Sequence, residues 1–180
     1  MDKFERIDRK VVHKGNIIDY CVDDIITPDG KKVNFDFIAH KGAAAVVPVL
    51  DNGDIVMVRQ WRNAIDKYTL EIPAGGLNTA DEPTFDCASR ELTEETGYHS
   101  DNIELLKTIY TTVAFCNEKI DIYVAHDLIP GKQNLDPDEF INIETYSIDE
   151  LIDMVYNNEI CDCKTAVAIL AYYVKFCANK

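Results

Sequence analysis

The run from Gly76 to Tyr98 constrains this chain more than any other part, and it reads GLNTADEPTFDCASRELTEETGY. Thr84 to Thr96 contain neither proline nor glycine, so they can form a helix, and the following Gly97 is typical of a helix C-terminus. Within this stretch, residues at steps of three and four predict a helix face that packs on a core. The residues of that face are Phe85, Ala88, Leu92 and Thr96.

Three glutamates lie together on the same predicted helix. Glu94 and Glu95 follow Glu91 by three and four residues, so the three carboxylates project from neighbouring positions. Crowded carboxylates repel one another and raise one another's pKa, and a bound Mg²⁺ or Mn²⁺ relieves that repulsion. Arg90 precedes Glu94 by four residues and can hold its carboxylate. A solvated acidic helix face is the ordinary alternative, but the glycine, the arginine and the spacing together favour a metal site that acts on a diphosphate.

The run resembles the Nudix box, written GX5EX7REUXEEXGU, in which U is a bulky apolar residue. Every other fixed position is present, and the one mild departure is Tyr98, which is aromatic rather than aliphatic. The matching residues are Gly76, Glu82, Arg90, Glu91, Leu92, Glu94, Glu95 and Gly97. The resemblance extends from about residue 40 to about residue 155. It implies an α/β fold, the Nudix α/β/α sandwich with a mixed sheet, preceded by a small N-terminal β-sheet extension.

Two segments before the box resemble the ADP-ribose pyrophosphatase group of that family. Val58–Arg62, VRQWR, resembles its VRQYR segment, and the following EIPAG resembles its E-[IL]-P-A-G segment. The resemblance implies that Arg62 contacts substrate, with Arg59 as a second candidate, and that a backbone carbonyl at the end of EIPAG binds metal. Matching the PAG motif assigns that carbonyl to Ala74, whereas counting from the box glycine assigns it to Gly75. Pairing with some of the 32 acidic residues is the alternative role for the two arginines.

Two downstream segments extend the resemblance. YTTVAFCNE resembles the segment that carries a substrate-contacting glutamate, which here is Glu118. The group usually has a YPSPG pattern there, and this chain has TTVA in place of the prolines and glycine, so the substrate class stays open. The acidic loop around Glu139 resembles the loop that holds the catalytic base, and Asp138 or Glu118 could serve instead.

The resemblance implies Mg²⁺-dependent hydrolysis of a nucleoside diphosphate sugar, foremost ADP-ribose to AMP and ribose 5-phosphate. The residues assigned are Ala74, Glu91, Glu94 and Glu95 for the metal, Glu139, Glu94 and Arg90 for catalysis, and Arg59, Arg62, Glu118 and Phe37 for the substrate. The nearest alternative is a Nudix hydrolase of GDP-mannose, another sugar nucleotide, a dinucleoside polyphosphate or a nucleoside triphosphate. The intact carboxylates argue against an isopentenyl-diphosphate-type isomerase and against a non-catalytic nucleotide sensor.

Residues 1–40 are expected to form the β-sheet extension and residues 41–180 the Nudix domain. A turn signal from Thr27 to Gly30 separates strand candidates in the extension. In the ADP-ribose pyrophosphatase group a similar sheet exchanges across a homodimer and helps to form the nucleoside pocket, so the resemblance implies a homodimer. Phe37 shares one strand face with Phe35, and either ring can stack on a base or pack in the core.

Two strands and two helices are further predicted in the Nudix domain. Gly42 to Leu50 is almost wholly apolar, as in a buried strand, and the DNGD that follows predicts a hairpin turn with Ile55 to Gln60 as the partner strand. Ser147 followed by Glu150 predicts a capping box at a helix start. Cys163 to Phe176 is rich in apolar residues and predicts a further helix.

Composition is consistent with a cytoplasmic enzyme. The net charge is −14 with no basic stripe, which argues against nucleic acid as a partner. No apolar stretch approaches the length of a membrane span, and MDKFERIDRK lacks an apolar signal region. The six cysteines lack a secretory context and are expected to be thiols rather than disulfides.

Overall fold

The computed structural model describes residues 3–137 and 139–178. Its strands are β1 Glu5–Lys14, β2 Asp19–Ile26, β3 Lys32–Ala39, β4 Ala43–Pro48, β5 Ile55–Arg62, β6 Lys67–Glu71, β7 Ala74–Gly76, β8 Tyr98–His99, β9 Asn102–Tyr110, β10 Lys119–His126, β11 Ile129–Pro130 and β12 Asn142–Tyr146. Its helices are α1 Thr84–Thr96, α2 Ile148–Tyr156 and α3 Cys163–Tyr172, which continues as a π-helical turn over Tyr173–Cys177.

The chain divides into two compact units. The first consists of the residues up to Gly42 together with Tyr110–Lys119, and the second consists of Ala43–Ile109 with the residues from Ile120 onward. In the first unit, β1, β2 and β3 form an antiparallel sheet. The predicted turn joins β2 to β3, with Gly30 at φ 83°. The first unit therefore contains the predicted β extension and, in addition, a segment from the middle of the sequence.

Strand β4 lies inside the mixed sheet of the second unit, whose order is β7-β4-β10-β9. It runs parallel to β10 and antiparallel to β7. Every residue of β4 is buried, because helices cover both faces. Ala44 and Val46 pack against α1, whereas Ala45 and Val47 share a core with residues of α2 and α3. The predicted α/β/α arrangement with a mixed sheet is confirmed.

The predicted pairing of β4 with β5 is wrong, although the turn between them forms. The Leu50 N–H donates to the Asp54 carbonyl at 2.9 Å, and Gly53 adopts φ 88°. Among the described residues, β4 and β5 share an isolated bridge from Val49 to Ile55 rather than a ladder. Strand β5 is instead the middle strand of a second, antiparallel sheet of order β12-β5-β6. Because β7 and β10 already occupy both edges of β4, no edge is left for β5.

Helix α1 has the predicted bounds and ends at Gly97, which adopts φ 76°. Ala88 and Leu92 are fully buried on its core face, as the spacing predicts. Phe85 differs from the prediction, since it is 45% exposed and lies edge-on to the ring of Tyr123. The core face of α1 is therefore built from the smaller and aliphatic residues, among them Cys87, which the periodicity did not single out.

The loop that follows β11 is anchored on the C-terminal end of α1. The Asn134 N–H donates to the Glu94 carbonyl at 2.9 Å, and the Gln133 side-chain amide donates to the Glu95 carbonyl at 2.6 Å. Carbonyls of a last helical turn have no partner within the helix, so these bonds satisfy them. The same loop continues to Glu139, which places the predicted base on a segment tied to the box helix.

The other helix predictions agree with the structure. The capping box at Ser147 and Glu150 is present at the start of α2. Helix α3 begins at Cys163 as predicted, after Asp162, whose side chain caps it. In the described part of the chain, no helix is long and apolar enough to cross a membrane. All six cysteines are outside disulfide bonds, as predicted.

Candidate active site

The acidic face of α1 is largely buried. Glu91 is 6% exposed and Glu95 is 2% exposed, while Glu94 remains partly accessible. Arg90 donates from Nη1 to Glu91 Oε1 at 2.6 Å and to Glu94 Oε2 at 2.8 Å. The predicted contact between Arg90 and Glu94 is therefore present, and the same guanidinium also holds Glu91.

Arg90 also ties the helix to the start of the box. Its Nη2 donates to the Gly76 carbonyl at 3.2 Å, and its Nε lies 3.5 Å from Glu82 Oε1. Among the residues that the structure describes, the buried Arg90 Nε has no hydrogen-bond partner. The arginine and the first glutamate of the box thus close the turn that precedes α1, which explains the physical need for both at this spacing.

The turn before the box touches the carboxylates directly. A Cβ at Gly75 would overlap the carboxylate of Glu91, so any other residue there would force that carboxylate to move. The Ala74 N–H donates to Glu95 Oε2 at 3.0 Å, and the Cys87 thiol lies 3.5 Å from the Gly75 carbonyl. Both Ala74 and Gly75 therefore lie against the acidic face, and the choice of carbonyl ligand between them stays open.

Burial is the main reason why the pKa values of these two carboxyl groups are raised. It raises the pKa of Glu91 to about 7 against the opposing charge of Arg90, and it raises the pKa of Glu95 to about 8, with the Glu91 charge adding to it. The prediction from sequence invoked mutual repulsion, which is present but smaller. Glu139 contributes to both shifts, which places its charge near Glu91 and Glu95.

This donor set has the chemistry of a site for a hard divalent cation. Buried carboxylate oxygens that resist ionisation are stabilised when a cation replaces the lost water, and Mg²⁺ and Mn²⁺ prefer such oxygens. Within residues 3–137 and 139–178, no three metal-ligating side chains already converge around one point. Arg90 accounts for part of this, because it holds both Glu91 and Glu94, so a cation would have to displace one of its bonds.

Arg62 is held by a buried glutamate that the sequence prediction did not assign to the site. Its Nε and Nη2 donate to the two oxygens of Glu71 at 2.7 and 2.6 Å. Thr69 and Lys164 also donate to Glu71, which is 1% exposed. Burial opposes ionisation of Glu71, but the bonds from Arg62 and the charge of Lys164 outweigh it and lower its pKa to about 2. The Arg62 side chain keeps 40% of its surface exposed, so it can still meet a ligand.

Arg59 has a different environment from Arg62. Its Nε and Nη2 pair with the two carboxylate oxygens of Glu144 on β12, the latter at 2.9 Å. Side chains alternate between the two faces of a strand, so Arg59 and Arg62, three positions apart on β5, point to opposite faces. They reach different carboxylates for that reason. The pairing matches the alternative role considered for Arg59, and its contact with substrate stays a prediction.

Glu118 and Phe37 lie in the first unit. The Thr111 hydroxyl donates to Glu118 Oε2 at 2.7 Å. The guanidinium of Arg9 stacks on Phe37, 3.4 Å from the ring centroid, so one face of the ring is already covered. Phe35 instead lines an open groove of about 460 Å³, together with Tyr20, Asp36, Ile38, Ala114 and Phe115. Of the two candidate rings, Phe35 is the one that faces an open space.

Glu139 closes a turn in the loop that follows β11. Its N–H donates to the Asp136 carbonyl at 3.0 Å, and its carboxylate accepts from the Asp136 N–H at 3.2 Å. Asp138, the alternative base, lies outside the described residues. Glu139 is partly buried, which is compatible with a base that must reach a water molecule.

Glu71 and Lys164 are the site residues that sequence reasoning missed. They are 93 positions apart, and no local pattern predicts that they meet. The available signals were weak: Glu71 is a charged residue at the end of a short strand, and Lys164 follows the Asp162 cap of an otherwise apolar helix. Gln60 was also missed, and its Nε2 is buried with no hydrogen-bond partner within the described chain.

The raised pKa of Glu95 predicts that replacing Glu95 with Gln stabilises the metal-free protein at alkaline pH. An unfolded glutamate ionises near 4.5 and folded Glu95 near 8, so the folded protein loses stability as pH rises between these values. Gln keeps an acceptor for the Ala74 N–H and carries no charge. We expect a Tm gain of at least about 3 °C for E95Q at pH 8.5 by differential scanning calorimetry with EDTA.

The same variant at pH 5 is the control, since Glu95 is then protonated in the folded state and the gain should largely vanish. Adding Mg²⁺ at pH 8.5 should raise the Tm of the wild type more than that of E95Q, because the cation binds only the folded, ionised site. An equal Tm difference at both pH values would contradict the assignment of a buried, strained charge to Glu95.

Comparison with known proteins agrees with this geometry. The NUDIX domain family model matches residues 39–161. The ADP-ribose pyrophosphatase of Bacillus subtilis (strain 168) is 36% identical over 165 residues, which cover 91% of this chain and 89% of that protein. The methanol dehydrogenase activator of Bacillus methanolicus is 36% identical over 161 residues, with coverages of 88% and 86%.

Among solved structures, the crystal structure of an ADP compounds hydrolase has a TM-score of 0.84 to this chain, covering 96% of it and 94% of that chain. At 18% identity this likeness concerns the fold. The match to the family model, the relatives and the intact set of box residues lead to one conclusion: the chain belongs to the Nudix hydrolase family.

Proposed function

We propose that this enzyme hydrolyses the P–O–P link of a nucleoside diphosphate sugar, foremost ADP-ribose, to give AMP and ribose 5-phosphate. The observation that carries the proposal is the buried pair Glu91 and Glu95 packed against the EIPAG turn, in a chain similar over most of its length to a protein named ADP-ribose pyrophosphatase. Ionised carboxylates in such a place are costly unless a cation neutralises them, and a cation held there can also bind the oxygens of a diphosphate.

Mg²⁺, or Mn²⁺, is the proposed cofactor. Glu91, Glu94, Glu95 and the Ala74 carbonyl would hold it, with Gly75 as the alternative carbonyl. When bound, the cation supplies neutralisation of the phosphate oxygens and acidification of a water molecule. The raised pKa values of Glu91 and Glu95 support the assignment, since both carboxyl groups gain from a positive charge.

The protein side chains then divide the remaining work. Glu139 takes the proton of the attacking water, whose oxygen forms a new bond to one phosphorus while the bridging P–O bond breaks. Arg62 offsets the negative charge that builds on the leaving phosphate, and its exposed surface supports this role. Arg90 holds the carboxylates of Glu91 and Glu94 in position through its hydrogen bonds to both. Arg59, Glu118 and Phe37 stay proposed substrate-binding residues, Phe37 through the ring face that Arg9 leaves uncovered.

A second candidate is hydrolysis of a different nucleotide by the same site. The TTVA sequence after Tyr110, where ADP-ribose pyrophosphatases usually carry prolines and a glycine, favours keeping this alternative. The relative named methanol dehydrogenase activator also suggests testing dinucleotides, because a dehydrogenase cofactor contains the same diphosphate link. The cytoplasmic location and the absence of a nucleic-acid partner stay predictions.

The deciding experiment is a substrate panel. We expect the purified protein with Mg²⁺ to cleave ADP-ribose with a kcat/KM at least tenfold above that for GDP-mannose, ADP-glucose, NADH, diadenosine polyphosphates and nucleoside triphosphates. Chromatography should identify AMP and ribose 5-phosphate as the products, and E139Q should lower kcat by about 100-fold or more if Glu139 is the base. Faster cleavage of another compound would replace ADP-ribose, and binding without cleavage of any compound would refute the hydrolase proposal.

The close contact at Gly75 predicts an asymmetric effect of two neighbouring substitutions. In G75A the new methyl group would displace the Glu91 carboxylate, and we expect kcat to fall by roughly 100-fold or more while the protein stays folded. G76A is the matched control, because a Cβ at Gly76 meets no atom within 4 Å. Steady-state kinetics and circular dichroism of both variants check this, and equal activity of the two would refute the role of the contact.

A homodimer is the proposed assembly. The first unit exposes several large apolar side chains that water solvates poorly, and these are Phe4, Ile7, Val11, Val12, Ile17, Ile18 and Phe35. A second copy of the chain would cover such a surface. Multi-angle light scattering should give twice the chain mass of 20.4 kDa. The double substitution Ile7→Lys with Val11→Lys is the disrupting variant, and a monomeric wild type would refute the proposal.

A further inference from the structure

Arg62 belongs to a cluster of four charged side chains, together with Glu71, Lys164 and Asp162. Glu71 accepts bonds from Arg62 on one side and from Lys164 Nζ on the other. Lys164 is 8% exposed, and its Nζ also donates to Asp162 Oδ2 at 2.9 Å. Two cations therefore face two carboxylates, and the formal charge of the cluster is zero.

Asp162 fixes the position of this cluster on α3. Its Oδ2 accepts from the Thr165 N–H at 3.0 Å and from the Thr165 hydroxyl at 2.6 Å. The Ile72 N–H in turn donates to Thr165 Oγ1 at 3.2 Å, which ties the start of α3 to the residue after β6. The Ile72–Thr165 bond joins uncharged groups, so the helix has one contact with this segment that does not involve the ammonium of Lys164.

We propose that Lys164 is a positioning residue that acts through Glu71 and leaves the charge of Arg62 available to the substrate diphosphate. This inference rests on the proposed function. With Lys164 present, Glu71 and Asp162 have a second cation beside them. Without it, Arg62 alone would face two carboxylates in a region of low dielectric constant, and it would be drawn towards Glu71 and away from the phosphate.

The position of Arg62 agrees with this role. Its guanidinium uses Nε and Nη2 for Glu71 and keeps part of its surface exposed. The charges of Arg62 and Glu95 are close enough to interact, so the guanidinium lies near the acidic face of α1. Lys164 reaches that face through one intermediate carboxylate, without touching the reacting atoms itself.

A double-mutant cycle on kcat/KM for ADP-ribose tests the proposal. In the otherwise wild-type protein, K164M should lower kcat/KM by about tenfold or more, and K164R should restore it to within about threefold, since the charge returns. In an R62M background, K164M should cause less than about a twofold further loss, because the side chain through which Lys164 acts is gone. Equal losses in both backgrounds would overturn the proposal.

T165V is the matched control for a merely structural role. It removes the Ile72–Thr165 bond and the bond from the Thr165 hydroxyl to Asp162 without changing any charge, so we expect a lower Tm with kcat/KM within about twofold of the wild type. If K164M does not fold, K164Q replaces it, since Gln keeps a donor and removes the charge, and the same loss is expected. If T165V lowers kcat/KM as much as K164M does, the packing of α3 and not the charge of Lys164 determines the activity.

The outcome for the proposed function can be read separately. If the wild type cleaves no diphosphate, the proposed function fails, and the same cycle is then measured on the Kd for inorganic pyrophosphate with Mg²⁺ by calorimetry. Coupling of Lys164 and Arg62 in that Kd would retain the positioning role, and additivity would reject it. If the wild type cleaves ADP-ribose and the cycle is additive, only the role of Lys164 fails.

Discussion

The burial of two carboxylates against one backbone turn is the interaction on which the rest of the site depends. Glu91 fills the space that a side chain at Gly75 would take, and Glu95 accepts the N–H of Ala74. Removing these groups from water makes their ionisation unfavourable, as their raised pKa values express. The fold thus carries an electrostatic cost at this place, which the proposed cation would offset. The folded protein is less stable than it would be with uncharged side chains in place of Glu91 and Glu95, and the proposed chemistry requires these charges.

The fold makes this burial possible by its layers. Strand β4 is buried on both faces, and α1 packs against one of them. The acidic face of α1 then contacts the turn at Ala74 and Gly75. The second sheet brings Arg62 on β5 next to Glu71 on β6, and α3 brings Lys164 to the same carboxylate. Each charged group of the site is therefore held by an element whose other side belongs to the core.

The sequence predicts the local parts of this structure well. The box helix, the Arg90–Glu94 contact and the capping box at Ser147 depend on spacings of three or four residues, which a helix converts directly into contacts. The pairing of β5 and the contact of Lys164 with Glu71 depend on residues far apart in the chain, and no local pattern encodes them. Burial was also missed as the main cause of the acidity shift, because it is a property of the assembled layers.

The two groups of buried carboxylates respond to acid in opposite ways. The pKa of Glu71 is near 2, so the ion cluster that supports Arg62 persists in weak acid, whereas Glu91 and Glu95 take up protons near neutrality. If the proposed metal ion binds here, protons would compete with it for the same oxygens over a pH range in which Glu71 stays ionised. At the proposed metal site, mild acidification would therefore favour release of the cation before the ion pair between Arg62 and Glu71 is affected.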